Sequence, residues 1–255
     1  PMNVLEGIIS RRRDGRKSVA ILIDPDKAED QPKLRRLLKI ANESCIDLIM
    51  VGGSLVSSMA MPEILRTIRE EVSLPVVLFP GSPLQVTAGA DAILFLSLIS
   101  GRNPDLLIGN HVQAAPLLRN LGMEVVPTGY MLINSGKLTS AAYISNTLPI
   151  PEDKYSLAAC TAMAGEMLGL KLLYLDAGSG AERPVSPRMI SAVRKAVDLP
   201  LVVGGGITTP EIARGALEAG ADLLVIGNAL EKDPGVLTGI AERVYDWNAK
   251  AGIRK

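Results

Sequence analysis

The sequence has little of several residue types on which common kinds of site depend. Its 255 residues include one histidine, His111, and two cysteines, Cys45 and Cys160. These counts exclude a multi-histidine metal site and a zinc cluster and make Ser-His-Asp catalysis a poor candidate. Two cysteines cannot form a disulfide framework, so we expect both to be buried thiols in a reducing compartment.

Long apolar runs and net charge are also missing. No apolar run reaches the roughly 18 residues that a membrane-spanning helix needs, and we see no signal peptide at the amino end. The 27 basic and 27 acidic residues balance, so charge gives no argument for binding nucleic acid or an anionic membrane. We therefore expect a cytoplasmic protein, with Arg11–Arg13 as a solvated face.

Eight short apolar segments alternate with longer amphipathic stretches. The segments begin at Ser18, Asp47, Pro75, Asp91, Met123, Lys171, Pro200 and Asp222. Because each is nearly continuous in apolar residues, it is typical of a parallel strand buried on both faces. The alternation predicts an α/β fold, a single (β/α)8 TIM-like barrel over residues 1–255. The alternative is a doubly wound open sheet, which usually has fewer strands and a glycine-rich turn after the first.

The spacing of the segments predicts one missing helix and one insertion. Only 16 residues separate the starts at Pro75 and Asp91, too few for a strand-helix-strand unit of about 30 residues. We therefore expect no regular third outer helix. The 48 residues between the starts at Met123 and Lys171 leave room for a polar, loop-like insertion at residues 133–155.

Glycine-rich segments follow the last two predicted strands. Strand seven ends in Gly204-Gly205-Gly206, and strand eight ends in Gly227-Asn228. Glycine lets the backbone approach an anion closely, and a following helix N-terminus adds partial positive charge. Loops seven and eight of this fold are frequent phosphate sites, so we predict phosphate binding here. Glycine packing at a crowded strand end is the alternative.

Carboxylates end two other predicted strands. Asp176 ends strand six, where it can orient a substrate hydroxyl or accept its proton, or can act only as a cap. Asp24 ends strand one, and Ser54 follows strand two. A carboxylate, a hydroxyl and substrate phosphates are oxygen ligands suited to Mg²⁺, but an Asp-Pro turn capped by Asp24 explains the first strand end equally well. We expect His111 to be structural.

Several segments resemble the geranylgeranylglyceryl phosphate synthase family and its bacterial relatives. The resemblance runs over nearly the whole chain. The matching segments are LIDPDK at 22–27, VGGS at 51–54, NPDLLIGNHVQAA at 103–115, PTGYMLINSGKLTSA at 127–141, YLDAGSGA at 174–181, GGGI at 204–207 and GNA at 227–229. The segments at 127–141 and 174–181 are specific to the family, whereas GGGI is shared by many phosphate-binding barrels.

The resemblance implies an activity, a cofactor and a set of site residues. The family joins sn-glycerol 1-phosphate to C1 of a long prenyl diphosphate through an ether bond, with Mg²⁺. Asp24 and Ser54 are then the metal positions, and Asp176 orients a glycerol hydroxyl and is the candidate proton acceptor. The implied glycerol phosphate site comprises Tyr174, Leu175, Asp176, Ala177, Gly178, Ser179, Gly180, Gly205, Gly206, Gly227 and Asn228. The family also lacks the third barrel helix, which agrees with the short spacing.

Two positions depart from the family pattern. Many members have Glu at the position of Asp176, and some have Lys at the position of Leu22, where Lys27 is the nearby cation in this chain. The features resemble the branch of the family that forms larger assemblies, so a homo-oligomer is expected, a hexamer before a dimer. Transient contact with a membrane is expected for a lipid product.

Two other functions remain open on the sequence. A phosphosugar isomerase or cyclase could use Asp24 and Asp176 as an acid and base pair, and a non-catalytic barrel could bind a phosphometabolite without turnover. An apolar trough at the missing helix would favour the prenyl substrate over a small polar one. We expect such a trough along strand four, at Leu94, Phe95, Leu96, Leu98 and Ile99.

Overall fold

Eight parallel strands close into a barrel in chain order, with β1 paired to both β2 and β8. The computed structural model describes residues 3–57 and 60–250. The strands are β1 (Ser18–Ile23), β2 (Leu48–Val51), β3 (Val76–Leu78), β4 (Ala92–Leu98), β5 (Glu124–Leu132), β6 (Leu172–Asp176), β7 (Leu201–Gly204) and β8 (Leu223–Ile226). The predicted barrel is confirmed, and each predicted strand start lies at or one residue before the observed one.

Helices surround the barrel everywhere except after β3. They are α1 (Val4–Arg13), α2 (Gln31–Glu43), α3 (Met61–Glu71), α4 (Asn110–Leu121), α5 (Ser140–Ser145), α6 (Tyr155–Met167), α7 (Pro187–Ala196), α8 (Pro210–Glu218), α9 (Asn228–Lys232) and α10 (Val236–Lys250). One 3₁₀ turn, Pro83–Gln85, is all the helical structure between β3 and β4, which confirms the predicted gap. Among the described residues, no helix is both long enough and apolar enough to cross a bilayer.

Side-chain caps fix where the outer helices begin. Asp30 accepts a hydrogen bond from the amide of Lys33 and so starts α2. Thr209 does the same for the amide of Ile212 at the start of α8, where Pro210 occupies the first turn. Polar N-caps of this kind satisfy amides that have no partner within the helix. The helix starts therefore follow from local sequence.

Three aspartates hold neighbouring strands together at the amino ends of the barrel. The amide of Asp47 donates to the carbonyl of Val19 at 2.9 Å, and the amide of Val19 donates to Asp47 Oδ2 at 2.9 Å. The same reciprocal pair of hydrogen bonds joins Asp91 with Val76 and Asp222 with Leu201. We call these three pairs the aspartate clamps. Each clamp fixes the register of two strands near their amino ends.

Helix α1 covers the amino end of the barrel. Val4 and Ile8 are buried in the cluster of side chains that fills the barrel interior. The amides of Val4 and Leu5 donate to the carboxylate of Glu124 at the start of β5, at 2.5 and 2.9 Å. The interior is thus closed at this end, and only the carboxyl ends of the strands remain open to a substrate.

The expected solvated face at Arg11–Arg13 is wrong for two of its three residues. Arg11 forms an ion pair with Asp47, and Arg12 pairs with Asp222 at 3.4 Å. Their side chains are only 28% and 27% exposed. The reason is that α1 lies across the strand starts, where the aspartate clamps concentrate negative charge.

The expected burial of the two cysteines is also wrong. Cys45 and Cys160 are both exposed. The insertion at residues 133–155 is not wholly loop-like, because Thr139 caps the short helix α5 by accepting from the amide of Ala142 at 3.4 Å. Ile133 and Ile150 form a parallel bridge that closes the insertion at its base.

Asp222 joins its clamp to a cluster of buried cations. Its carboxylate accepts from Lys17 at 3.2 Å and from Arg194 at 3.0 Å, and its side chain is 7% exposed. Replacing Asp222 with alanine leaves these cations without their anion. Breaking a buried pair in this way costs about 3–5 kcal/mol, so we expect Asp222→Ala to lower the free energy of unfolding by that amount in urea titrations.

Asp198→Ala is the matched control, since Asp198 also pairs with an arginine but is 93% exposed. An exposed pair contributes about 1 kcal/mol or less. Equal losses in the two variants would contradict the structural role assigned to Asp222.

Candidate active site at the barrel mouth

The sequence-predicted residues converge at the carboxyl ends of the strands. Asp24 follows β1, Asp176 ends β6, Gly205 follows β7 and Gly227 follows β8. Ser54 lies three residues after β2. Because barrel closure brings all strand ends to one rim, residues distant in sequence share one mouth.

Asp176 is a buried carboxylate held from two sides. Tyr130 on β5 donates its hydroxyl to Oδ2 at 2.5 Å, and the amide of Gly178 donates to Oδ1 at 2.7 Å. Burial raises the pKa of Asp176, and these two hydrogen bonds oppose that rise. A carboxylate with a raised pKa is a stronger base than one in water, so the arrangement suits proton acceptance.

Three aromatic rings stand beside Asp176. Phe79 stacks on Tyr174 with ring centroids 5.2 Å apart, and the edge of Tyr130 meets both rings at 5.7 and 5.5 Å. Tyr174 is 1% exposed. Its hydroxyl lies under Gly204, where a Cβ would come within 2.4 Å of it. A side chain at position 204 would therefore displace Tyr174.

The glycines of loops six and seven are required by their backbone. Gly178, Gly180, Gly205 and Gly206 all have positive φ angles, which side chains disfavour. A Cβ at Gly205 would also lie 2.6 Å from Asp176 Oδ1 and 2.7 Å from the amide of Gly178. Part of the glycine pattern thus serves close packing around Asp176. Glycine packing therefore accounts for these positions as well as phosphate binding does.

Polar side chains and two lysines surround the ends of loops six and eight. Asn228 donates to the hydroxyl of Ser179 at 3.0 Å and accepts from Lys27 at 3.4 Å. Lys137 reaches the same place from the insertion, since its Nζ lies 4.0 Å from where a Cβ of Gly180 would be. Cations beside glycine loops favour an anion such as phosphate.

Lys137 was missed as a site residue in the sequence. The only signal was its place in the INSGKLT segment, which cannot show that the insertion folds back over loop six.

The predicted metal positions, Asp24 and Ser54, carry hard oxygen donors. Asp24 caps the 3₁₀ turn Pro25–Lys27 by accepting from the amide of Asp26, so the Asp-Pro turn exists. Its Oδ2 also lies 3.5 Å from Lys27 Nζ. A Cβ at Gly53, next to Ser54, would be 3.5 Å from Asp24 Oδ1, so the two loop ends adjoin. Burial raises the pKa of Asp24.

Among the described residues, no group of three His, Cys, Asp or Glu side chains could hold a metal by itself. Mg²⁺ commonly binds one or two carboxylates and completes its shell with water and substrate phosphates. One carboxylate and one hydroxyl therefore fit Mg²⁺ if a diphosphate supplies the other oxygens.

An apolar groove leads from the mouth into the gap left by the third helix. It encloses about 360 Å³, and we call it the side groove. Its wall includes Ser54, Phe79, Val86, Leu94, Phe95, Leu96, Leu98, Leu106, Ala114, Tyr130 and Ile144. The predicted trough is thus present, except that Ile99 points elsewhere, with its Cδ1 close to Gly129 and Gly165.

Three sequence-predicted residues contribute differently from the rest. Leu175 is fully buried between the barrel and the helices, so only its backbone can face a ligand. Ala177 is 2% exposed and belongs to the same core cluster. His111 lies in the wall of the side groove, edge-to-face with Phe95 at a ring-centroid distance of 4.4 Å and with Nε2 3.2 Å from the hydroxyl of Ser97.

Comparison with known proteins identifies the family. Residues 12–246 match the model of the PcrB family. The chain belongs to this family. A geranylgeranylglyceryl phosphate synthase of Spirosoma linguale is 57% identical over 92% of this chain and 94% of that relative. A protein of the same name from Chitinophaga pinensis is 48% identical over 95% of this chain and 96% of its own length.

Solved structures agree with this assignment. (S)-3-O-geranylgeranylglyceryl phosphate synthase from Thermoplasma acidophilum, in complex with the substrate sn-glycerol-1-phosphate, superposes with a TM-score of 0.90 at 34% identity. The match covers 96% of this chain and all of that one. A thiamine phosphate pyrophosphorylase from Pyrococcus furiosus, 15% identical with a TM-score of 0.56, shares the fold alone.

Proposed function

We propose that this chain is a geranylgeranylglyceryl phosphate synthase. It transfers a prenyl group from a long-chain prenyl diphosphate to sn-glycerol 1-phosphate, forms an ether bond and releases diphosphate. The relatives that carry this name match more than nine-tenths of the chain. The observation that carries the proposal is the side groove, because an apolar channel opens at the same mouth as a buried carboxylate and glycine-rich loops.

Glycerol 1-phosphate occupies the polar half of the mouth. Its phosphate lies on the backbone of the loops that begin at Gly205 and Gly227, and Ser179 and Asn228 flank it. Lys137 and Lys27, which lies in the loop after β1, supply positive charge for the phosphate. A glycerol hydroxyl then faces Asp176, the buried base at the rim of β6.

The diphosphate of the prenyl substrate lies at the ends of β1 and β2. Asp24 and Ser54 would hold Mg²⁺, with diphosphate oxygens supplying other ligands. When bound, the metal supplies charge neutralisation for the departing diphosphate. Lys27, 3.5 Å from Asp24, adds a second positive charge beside the same group.

Ether formation requires one bond to form and one to break. The glycerol hydroxyl oxygen bonds to C1 of the prenyl group, and the bond from C1 to the diphosphate oxygen breaks with its electron pair on the diphosphate. The hydroxyl proton passes to Asp176. Positioning contributes most of the rate, because an allylic diphosphate leaves readily once its charge is neutralised. This chemistry needs no histidine.

The prenyl tail runs outward along the side groove. Each buried CH2 contributes about 0.8 kcal/mol, and a filled barrel interior has no space for such a chain. A small phosphosugar has no use for an apolar groove of about 360 Å³. The groove therefore favours the prenyltransferase over a phosphosugar isomerase.

Cellular context follows from the substrates. We place the enzyme in the cytoplasm, in transient contact with a membrane that takes up the lipid product. Leu55 and Leu84, beside the open groove, are 63% and 96% exposed, which supports such contact. We also propose a homo-oligomer, a hexamer rather than a dimer.

The activity itself is tested by incubating the chain with labelled glycerol 1-phosphate, Mg²⁺ and prenyl diphosphates of C15 to C35. We expect a product whose ether bond survives phosphatase treatment and alkaline hydrolysis. Binding of glycerol 1-phosphate without any product at all chain lengths would instead support a non-catalytic binding protein.

Asp24→Asn keeps the cap and the shape of loop one but removes the charge that holds the metal. We expect most turnover to be lost, while calorimetry shows nearly intact binding of glycerol 1-phosphate. Asp26→Asn is the matched control, since Asp26 lies two residues away and bonds to Ser57 instead. If Asp24→Asn loses binding of both substrates, Asp24 serves the structure of the turn and not the metal.

Ala114→Trp places a large ring inside the side groove, because Ala114 is 7% exposed and lines it. Lost burial of two CH2 groups costs about 1.6 kcal/mol, roughly tenfold in affinity. We therefore expect a shift toward shorter prenyl diphosphates with unchanged affinity for glycerol 1-phosphate. Ala115→Trp, on the exposed side of α4, should keep the parental chain-length profile. An unchanged profile in both variants would show that the tail lies elsewhere.

A further inference from the structure

Tyr130 occupies the boundary between the polar mouth and the side groove. Its hydroxyl donates to Asp176 Oδ2 at 2.5 Å, while its ring lies in the wall of the groove. The residue reaches Asp176 from 46 positions away in sequence, because β5 pairs with β6 and places Tyr130 opposite Tyr174, two residues before Asp176. It is thus placed to touch the regions of both substrates.

The direction of the hydrogen bond is set by the surroundings of the phenol. Burial and the nearby carboxylate raise the pKa of Tyr130 well above its usual value, so the phenol keeps its proton and can only donate to Asp176. With Gly178 donating to the other oxygen, both oxygens of the carboxylate are held. The orientation of its free lone pairs is therefore fixed before a substrate arrives.

We propose that Tyr130 is a positioning residue of the reaction, which fixes the Asp176 carboxylate toward the glycerol hydroxyl while its ring guides the prenyl chain to that hydroxyl. The inference rests on the proposed function. It adds a role for a residue that acts through Asp176 and does not itself take the proton. The proton still passes from the glycerol hydroxyl to Asp176 as the oxygen bonds to C1.

Few groups other than Tyr130 influence the charge of Asp176. Tyr174 on the same strand faces it, and burial raises the pKa of Tyr174 well above its usual value, so that phenol is also neutral. Gly204, opposite Asp176 on β7, and Gly205, in the loop that follows, have no side chains. The Tyr130 hydroxyl lowers the pKa of Asp176 against the effect of burial. Loss of the hydroxyl therefore raises that pKa.

The test compares Tyr130→Phe with the wild type, since phenylalanine keeps the ring contacts with Phe79 and Tyr174 and removes only the hydroxyl. We expect kcat to fall about tenfold, which is equivalent to a loss of about 1.4 kcal/mol of transition-state stabilisation. The KM for glycerol 1-phosphate should stay within about twofold. Because Asp176 accepts a proton only when ionised, the acid limb of the kcat profile should move to higher pH. Tyr245→Phe is the control for removing a tyrosine hydroxyl, since Tyr245 is exposed on α10.

A double-mutant cycle with Asp176→Asn separates positioning from packing. If Tyr130 acts through Asp176, adding Tyr130→Phe to Asp176→Asn should change kcat little. Equal, additive losses in the two backgrounds would overturn the proposal, as would an unchanged kcat and pH profile in Tyr130→Phe. A change confined to the KM for the prenyl diphosphate would also overturn it, because the ring would then serve the groove alone.

Failure of the proposed function gives a different result. In that case the wild type forms no ether product, whereas failure of the Tyr130 proposal leaves the wild type active. Thermal unfolding of each variant shows whether it is folded when assayed. If Tyr130→Phe does not fold, the pH profile of Tyr130→Met remains as a test, since methionine also removes the hydroxyl that donates to Asp176. Its acid limb should move to higher pH, and an unmoved limb would overturn the proposal.

Discussion

The aspartate clamps set the register on which the mouth of the barrel depends. Asp47, Asp91 and Asp222 each exchange two hydrogen bonds with the first or second residue of the preceding strand. Because parallel strands rise by about 3.3 Å per residue, a slip of one residue would reverse which side chains face the interior. The Asp222 clamp joins β7 to β8, and in this register Gly204 lies opposite Val225 near the carboxyl rim. The alignment of the glycine-rich loops that follow these two strands therefore depends on contacts at the opposite end of the barrel.

The missing third helix leaves an apolar surface open beside the mouth. A complete ring of helices would bury the outer face of β4, where Phe95 remains partly exposed in the side groove. The residues around this gap carry no charge from position 72 to position 90, so no ionic group needs water there. Under the proposed function, the groove takes the apolar chain while the barrel interior stays closed, and C1 of the prenyl group meets the glycerol hydroxyl only at the mouth.

Sequence reasoning succeeded where local pattern determines structure. Strand positions followed from continuous apolar runs, and the gap followed from a spacing too short for a helix. It failed where distant segments meet. Arg11 and Cys45 were misjudged because their surroundings depend on where α1 and α2 pack, and Lys137 was overlooked because the fold of the insertion is not local. The bond from Tyr130 to Asp176 likewise depends on the pairing of β5 with β6, which no residue spacing reveals.

Burial of the Asp176 carboxylate lowers the stability of the folded barrel, which interactions elsewhere must offset. Its pKa is raised in the folded chain, so protonation would favour folding as the pH falls toward that pKa, and the ionised form opposes folding at neutral pH. The hydrogen bonds from Tyr130 and Gly178 offset part of this destabilisation, but the pKa of Asp176 stays above its usual value. The clamps and the buried Asp222 cluster lie at the far end of the strands, where they stabilise the fold without touching a substrate. The barrel thus separates the residues that secure it from the residues that react, and the mouth can keep an unfavourable charge because the amino ends supply the stability.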